Sequence, residues 1–249
     1  TSKTGGKFVR SKSQFENQIT NDENAEFKPE SNRYHLYISH ACPWAHRTLI
    51  FRKLKKLEEH ISISVVHPIM LENGWTFQDG ENVIQDSILG SQYLHQVYTA
   101  AQKNYTGRVT VPVLWDKKNR TIVNNESSQI IRIFNSAFNS LTKNKDDYYP
   151  EKLRDKINEI NNDVYHHINN GVYKTGFATT KEAYEETFDA LFKSLDSIEK
   201  ILTLTNFLVG NNITEADWRL FTTLIRFDAV YFGHFKCNKK RISDYPKIY

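Results

Sequence analysis

Cys42 is the residue of this chain whose type and position best suit covalent chemistry. It lies in NRYHLYISHACPWAHRTL, residues 32–49, which reads as a strand, a tight corner and a helix that opens at Pro43. Proline suits the first helical position, where its missing N–H costs nothing. Unpaired N–H groups and the helix dipole favour negative charge at that end, and the pKa of a cysteine there falls to about 3.5–7.5. The pattern therefore predicts a reactive thiolate.

The alternative interpretation of Cys42 is an inert packed thiol, since free cysteine is among the most buried residue types. The reactive interpretation is favoured because Cys-Pro opens an amphipathic helix with Ile50, Leu54 and Leu57 on one stripe. A dithiol oxidoreductase would carry a second cysteine where this chain has Ala45. We therefore expect a small thiol from solution to resolve any disulfide that Cys42 forms.

Composition excludes several classes of protein. The 249 residues suit one large or two modest domains, and the net charge of +4 is mild. The runs KLKK and NKKR are short and flank apolar positions, which indicates solvated faces rather than a nucleic-acid surface. The sequence contains no stretch of about 18 apolar residues, so it predicts no membrane span. We expect neither nucleic acid nor membrane as a partner.

The two cysteines, Cys42 and Cys237, are far apart and have no metal-ligand spacing. This usage predicts no metal site and favours a reducing compartment over a secreted disulfide scaffold. The polar start TSKTGGKFVRSKSQF has no hydrophobic signal region. We expect a cytoplasmic protein, with a mitochondrial one as the alternative because this start is basic and contains serine. Cys237 is interpreted as structural.

The first half of the chain reads as β-α-β followed by β-β-α. Strands are predicted at Tyr34–Ile38 and 61–66 around a helix at 43–57, so the two strands should be parallel. SILGSQYLHQVYTAAQ is predicted as a helix, VTVPVLWD and TIV as a hairpin across KKNR, and NNESSQIIRIFN as a turn into a helix.

The second half carries only helical patterns, and the change marks a domain boundary. LTKNKDDYYP is polar and ends in proline, as linkers do. The predicted divisions are an N-terminal arm (1–31), an α/β domain (32–140), a linker (141–150) and an all-α domain (151–249), the last with helices at 151–170, 181–202 and 214–231. In NITEADW, Thr214 and Asp217 form a capping-box pair, so we interpret Asp217 as a helix cap rather than a catalytic acid.

An α/β half with cysteine at its first helix start resembles a thioredoxin-like domain, and the helical half after it makes the chain similar to a glutathione transferase. In such proteins the proline that matches Pro112 is cis and faces the cysteine, and the backbone of the residue matching Val111 pairs with the cysteinyl part of glutathione. Alone, Pro112 would be an ordinary strand-edge proline. In NNESS, Ser127 at a helix N-terminus suits a carboxylate and Glu126 suits the ammonium of glutathione, although the serines could merely cap the helix.

The strings CPWAHR, NGWTF, TVPVLWD, NNGVYKTGFA and HFKCN together resemble the xi class, the omega-like glutathionyl-hydroquinone reductases. This resemblance runs from about residue 34 to the end of the sequence. Members of the class usually continue beyond DYPKIY with a tail that helps to shape the acceptor pocket and the dimer. The resemblance implies a homodimer that takes glutathione as cosubstrate and small aromatic quinol conjugates as substrates.

The same resemblance implies a role for each matching residue. Cys42 would be the nucleophile, and Tyr173 would lie in the acceptor pocket and bond the quinol. The residues that would hold glutathione are Trp75, Arg108, Val111, Pro112, Glu126 and Ser127. Two rival functions stay open: a broader omega-type thioltransferase or dehydroascorbate reductase that uses the same residues, and a non-enzymatic interaction module on the same fold.

Overall fold

A computed structural model describes residues 4–249, so residues 1–3 of the predicted arm lie outside it. The strands are β1 Tyr34–Ile38, β2 Ile61–Val65, β3 Val113–Asp116 and β4 Thr121–Asn124. The helices are α1 Pro43–Leu54, α2 Leu94–Ala101, α3 Ser127–Ser136, α4 Asn139–Thr142, α5 Arg154–Asp163, α6 Gly171–Gly176, α7 Lys181–Leu204 and α8 Glu215–Arg226. Two π-helical segments, Val164–Asn169 and Phe227–Tyr231, follow α5 and α8, and short 3₁₀ turns lie at Glu151–Leu153 and Ile242–Asp244.

These elements form two compact units. The sheet unit comprises Ser11–Asp147, and the helical unit comprises Tyr148–Tyr249 together with residues 4–10. The division falls within the predicted linker, 141–150. Residues 4–10 of the predicted arm therefore belong with the helices, while the rest of the arm belongs with the sheet.

The sheet unit holds four strands in the order β2-β1-β3-β4. β1 and β2 run parallel, with Tyr34 opposite Ile61, and β3 is antiparallel to both β1 and β4. This arrangement confirms the predicted β-α-β and β-β-α halves of a thioredoxin-like sheet. β1 is buried along its whole length, as expected of a central strand.

The predicted helix 43–57 is three residues too long, because the chain turns at Lys56. That residue has φ 55°, in the left-handed region, and the N–H of Leu57 bonds back to the carbonyl of Arg52 at 2.8 Å. Such a bond closes a helix C-terminus. The sequence offers no glycine at this position, so the stop carries little local signal.

The predicted helix over SILGSQYLHQVYTAAQ is wrong in its first half, since α2 begins only at Leu94. The cause is Asp86, whose carboxylate accepts the N–H groups of Ile88, Leu89 and Ser91 at 3.0–3.2 Å. An aspartate that binds the backbone ahead of it offers an alternative to the helix. Gly90 at φ 68° completes the turn.

The arm covers the free edge of β4. Asn17 donates its N–H to the carbonyl of Val123 at 3.0 Å, and Asn125 donates to the carbonyl of Phe15 at 3.0 Å. Two residues after Asn17, Ile19 is buried in the sheet unit. An edge paired in this way is closed to other chains.

The helical unit confirms the predicted all-α second half but not its periodicity. The prediction over 151–170 corresponds to a 3₁₀ turn, α5 and a π-helical segment, and that over 214–231 to α8 and another π-helical segment. A wider turn shifts the buried face, so a 3.6-residue pattern does not reveal it. The core of this unit includes Ile157, Ile168, Val172, Leu191, Phe192, Leu195, Leu220 and Phe227.

Asp217 acts as the predicted cap. One of its carboxylate oxygens accepts the N–H of Thr214 at 2.8 Å and the hydroxyl of Thr214 at 3.0 Å, and the other accepts the N–H of Leu208 at 2.8 Å. The capping box at the start of α8 is complete. Three donors on one carboxylate support the structural interpretation over the catalytic one.

His35 gives the sheet unit a pH dependence. Its ring is fully buried on β1 between the hydroxyls of Ser62, 2.7 Å from Nδ1, and Ser64, 3.0 Å from Nε2. Burial lowers the pKa of His35 to about 4, against an ordinary 6.5. The unfolded chain therefore binds this proton more readily, and stability is lost as the pH falls from about 6.5 towards 4.

We expect the free energy of unfolding to drop by up to about 3 kcal/mol across that interval. Urea unfolding at a series of pH values measures it. The His35→Gln variant, which cannot titrate, should show a flatter dependence between about pH 6.5 and pH 5. Equal slopes in the two proteins would contradict this account of His35.

Candidate active site

Cys42 is the N-cap of α1, with Pro43 at the first helical position. Its backbone is extended, its N–H bonds to the carbonyl of Ser39 at 3.1 Å, and its own carbonyl accepts the N–H of His46 at 3.0 Å. The side chain is half-buried and is not used as a cap. The sulfur therefore has the position at a helix N-terminus that favours the thiolate.

Val111 and Pro112 lie next to the sulfur of Cys42. The peptide bond between them is cis, and Cys42 Sγ donates to the carbonyl oxygen of Val111 at 3.6 Å. Both residues precede β3, so the ladder with β1 does not use them. Within the described part of the chain, no hydrogen bond uses the Val111 N–H. An extended peptide beside Cys42 could therefore pair with the backbone at Val111.

Glu126 and Ser127 open α3. Glu126 is the N-cap, and its Oε1 accepts the N–H of Ser128 at 3.1 Å and the hydroxyl of Ser128 at 3.0 Å. Its Oε2 accepts the hydroxyl of Ser13, in the arm, at 3.3 Å. Asn124 fixes the turn by accepting the N–H of Glu126 at 2.8 Å. The carboxylate is held at a helix N-terminus with its remaining acceptor capacity available to a cation.

Arg47 connects α1 to the start of α3. The sequence analysis did not identify this residue. It is only 1% exposed; its guanidinium lies 4.6 Å from the ring centroid of Trp44, and Nη1 donates to the hydroxyl of Ser127 at 3.5 Å. The charge lies beside the α3 N-terminus, which suits a bound carboxylate. The available signal was periodicity, because Arg47 lies on the stripe of Ile50 and Leu54.

Trp75 and Arg108 lie in connecting segments of the sheet unit. Trp75 is half-buried ahead of α2, where its carbonyl accepts the N–H of Leu94 at 2.9 Å. Arg108 is exposed ahead of β3, and its carbonyl accepts the hydroxyl of Tyr105 at 2.9 Å. An indole with one N–H donor and a forked guanidinium suit a peptide ligand. Their roles in binding stay predictions.

Tyr173 lies on α6 of the helical unit, where five rings gather. We call Phe8, Tyr173, Phe177, Tyr231 and Phe235 the aromatic cluster. The hydroxyls of Tyr173 and Tyr231 are 3.1 Å apart, and the rings surround Tyr173 at centroid distances of 5.5–6.5 Å. The cluster runs from the buried Tyr231 to the exposed Phe177, and exposed aromatic rings beside a pair of hydroxyls suit a flat phenolic ligand. The sequence reasoning did not identify Tyr231, which lies 58 positions from Tyr173.

Cys237 is unsuited to chemistry. It is fully buried in the helical core, and burial raises the pKa of its thiol to about 12. Its sulfur lies 3.6 Å from the carbonyl oxygen of Phe235. A buried neutral thiol is inert, which supports the structural interpretation.

Residues 4–249 contain no group of three His, Cys, Asp or Glu side chains placed to hold a metal ion. Among the helices of this described part, none combines the length and the apolar character needed to cross a membrane.

Two family models match the chain. The glutathione S-transferase N-terminal domain matches residues 41–137, and the glutathione S-transferase C-terminal domain matches residues 181–249. The first match contains Cys42, Val111 and the start of α3. It therefore includes the residues that geometry places at the candidate site in the sheet unit.

Full-length relatives agree with these models. The chain is 57% identical over 248 residues to the glutathionyl-hydroquinone reductase PcpF of Sphingobium chlorophenolicum, covering 100% of this chain and 78% of that protein. It is 56% identical over 256 residues to the glutathionyl-hydroquinone reductase YqjG of Escherichia coli, with the same coverage.

Solved structures show the same similarity in three dimensions. The xi glutathione S-transferase of Phanerochaete chrysosporium superposes with a TM-score of 0.94 at 52% identity, covering 97% of this chain and 83% of that one. The glutathione-bound structure of Escherichia coli YqjG gives 0.91 at 55% identity, covering 94% and 78%. This chain therefore belongs to the xi class of glutathione transferases, in the glutathionyl-hydroquinone reductase family.

Proposed function

We propose that this protein reduces glutathionyl-hydroquinones with glutathione, using Cys42 as its only redox thiol. The observation that carries the proposal is the half-buried thiol of Cys42, which is in no disulfide, at the start of α1 and next to the backbone of Val111. Identity of 56–57% to relatives that are named glutathionyl-hydroquinone reductases supports the choice of substrate.

Glutathione would bind along the sheet unit. Its cysteinyl part pairs with the backbone of Val111, and Pro112 keeps that backbone turned towards Cys42. Its γ-glutamyl carboxylate binds the N-terminus of α3 at Ser127, while Glu126 takes the ammonium. Trp75 and Arg108 hold the rest of the tripeptide. The glutathione-bound structure of a relative at 55% identity supports glutathione as the ligand.

The reaction then follows ordinary thiol chemistry. The Cys42 thiolate attacks the sulfur of the glutathionyl-hydroquinone, so that an S–S bond forms as the sulfur–aryl carbon bond breaks. The aryl carbon takes the electron pair and a proton and leaves as the quinol. A second glutathione thiolate attacks the Cys42–glutathione disulfide, expels the Cys42 thiolate and forms oxidised glutathione. The proton of this second glutathione balances the one taken by the carbon.

A conjugating transferase needs a different device at this position. It uses a hydroxyl that stabilises the glutathione thiolate, whereas Cys42 would trap the tripeptide as a disulfide. Attack by an activated thiolate splits a difficult reduction into two steps, of which the first releases the quinol and the second is a thiol–disulfide exchange. The aromatic cluster supports an aromatic acceptor, with the hydroxyl of Tyr173 bonding the quinol.

A comparison of substrates tests the proposal. We expect kcat/KM for a glutathionyl-hydroquinone to exceed kcat/KM for a small mixed disulfide or dehydroascorbate, because only the first carries a phenolic ring for Tyr173 to bond. The opposite order would favour the broader omega-type thioltransferase. A protein without affinity for glutathione would favour the non-enzymatic interaction module.

The proposed enzyme is a homodimer of the cytoplasm. Resemblance to the xi class supports the dimer, and a content of two cysteines that lie far apart in the sequence supports a reducing compartment. Light scattering from the purified protein would measure the mass in solution. A monomer at micromolar concentration would contradict the dimer.

A further inference from the structure

The segment from Thr4 to Arg10 is tied to the helical unit by contacts along its length. Gly6 has φ 80°, its carbonyl accepts the N–H of Thr179 at 3.1 Å, and a Cβ at this position would meet Thr180 at 2.6 Å. Lys7 pairs with Glu186 at 2.7 Å. Only glycine allows this backbone conformation and close approach together. The segment therefore has a fixed course.

That course brings two side chains against Tyr173. The ring centroid of Phe8 lies 6.5 Å from that of Tyr173 and 5.4 Å from that of Phe177. The guanidinium carbon of Arg10 lies 5.3 Å from the Tyr173 centroid and 5.6 Å from the Phe8 centroid. The segment thus contributes Phe8 to the aromatic cluster and places Arg10 against it, whereas Tyr231 and Phe235 come from the chain that follows α8.

Arg10 is also hydrogen-bonded to Asn170. Its Nε donates to Asn170 Oδ1 at 2.8 Å. Asn170 is buried and immediately precedes α6, where its carbonyl accepts the N–H of Lys174 at 2.8 Å. One guanidinium therefore links the start of the helix that carries Tyr173 to the ring of Tyr173 itself. A planar guanidinium stacks on aromatic faces while its donors stay in fixed directions.

We propose that Arg10 is a positioning residue of the acceptor site, which holds the Tyr173 ring so that its hydroxyl meets the quinol. This inference rests on the proposed function, since it takes Tyr173 as the group that bonds the quinol. The Thr4–Arg10 segment is then part of the site for the aromatic substrate. The hydroxyl of Tyr231, which lies 3.1 Å from that of Tyr173, sets the direction in which the Tyr173 hydroxyl points.

The first test compares Arg10→Met with Lys200→Met, a matched loss of a basic residue from the same unit. Lys200 is exposed on α7 and belongs neither to the aromatic cluster nor to the Thr4–Arg10 segment. We expect kcat/KM for a glutathionyl-hydroquinone to fall about tenfold in Arg10→Met. The rate with a small glutathione mixed disulfide should stay unchanged, and Lys200→Met should match the wild type with both substrates.

Arg10→Lys separates charge from stacking, and it carries the test if Arg10→Met does not fold. Lysine keeps the charge but lacks the planar face and the fixed Nε donor. We expect most of the loss to remain in Arg10→Lys. Full activity in that variant would overturn the positioning role.

A double-mutant cycle with Tyr173→Phe shows whether Arg10 acts through the hydroxyl. The phenylalanine keeps the ring and removes the hydroxyl, so the Arg10→Met effect should disappear in that background. An undiminished effect, or equal losses with both substrates, would overturn the inference. A wild-type protein without turnover of the glutathionyl-hydroquinone would instead overturn the proposed function.

Discussion

Replacing Cys42 with alanine is expected to abolish the reduction of glutathionyl-hydroquinones. The variant keeps the binding surface at Val111 and α3 but has no sulfur to attack the conjugate, so kcat should fall at least about 1000-fold. Quinol release, followed by chromatography under steady-state conditions, measures the loss. Turnover in Cys42→Ala at the wild-type rate would remove Cys42 from the mechanism.

Two further variants make this result specific. Cys237→Ala is the matched control, because it deletes the other thiol, which is fully buried in the helical core, and should leave quinol release unchanged. Cys42→Ser places a hydroxyl at the start of α1, so we expect it to gain weak conjugation of glutathione to a chloronitrobenzene. A serine variant that still forms a glutathione adduct would contradict the assignment of the nucleophile.

Replacing Glu126 with glutamine is expected to weaken glutathione binding about tenfold or more. The amide oxygen can still accept the N–H of Ser128, so the cap of α3 remains. The charge that faces the γ-glutamyl ammonium is lost, and a hydrogen bond to a charged group contributes about 1.5–3 kcal/mol. Calorimetric titration with glutathione measures the dissociation constant.

Charge-matched and cap-deleting variants complete that test. Glu16→Gln removes an exposed carboxylate from the arm beside β4 and should bind glutathione as the wild type does. Glu126→Ala loses the cap as well as the charge, so its unfolding free energy should fall by about a further 1 kcal/mol. Unchanged affinity in Glu126→Gln would show that Glu126 serves α3 alone.

Local signals predicted much of the fold. The strand patterns at Tyr34–Ile38 and Ile61–Val65 around a helix predicted the parallel pair, and Thr214 with Asp217 predicted the start of α8 to the residue. The failures occur where a single contact overrides the pattern. Lys56 ends α1 in a left-handed conformation without a glycine, and the carboxylate of Asp86 turns the chain where helix propensity predicted α2.

The candidate site divides in the same way. A cysteine before a proline and a Glu-Ser pair at a helix start are read from neighbouring letters, so Cys42 and Glu126 are visible in the sequence. Arg47 and Tyr231 are not, because each acts through a residue far along the chain: Ser127 for the first and Tyr173 for the second. Arg10 lies still further from its partner, on a segment that composition alone assigns to a polar arm.

The proposed mechanism requires the Cys42 sulfur to accept the glutathionyl group directly from the quinol conjugate. Intact-mass spectrometry after mixing the protein with a glutathionyl-hydroquinone, with no free glutathione, measures this step. We expect one glutathionyl group per chain, one quinol released for each, and complete reversal by a reductant. Quinol release without any adduct, or an adduct that persists in Cys42→Ala, would contradict it.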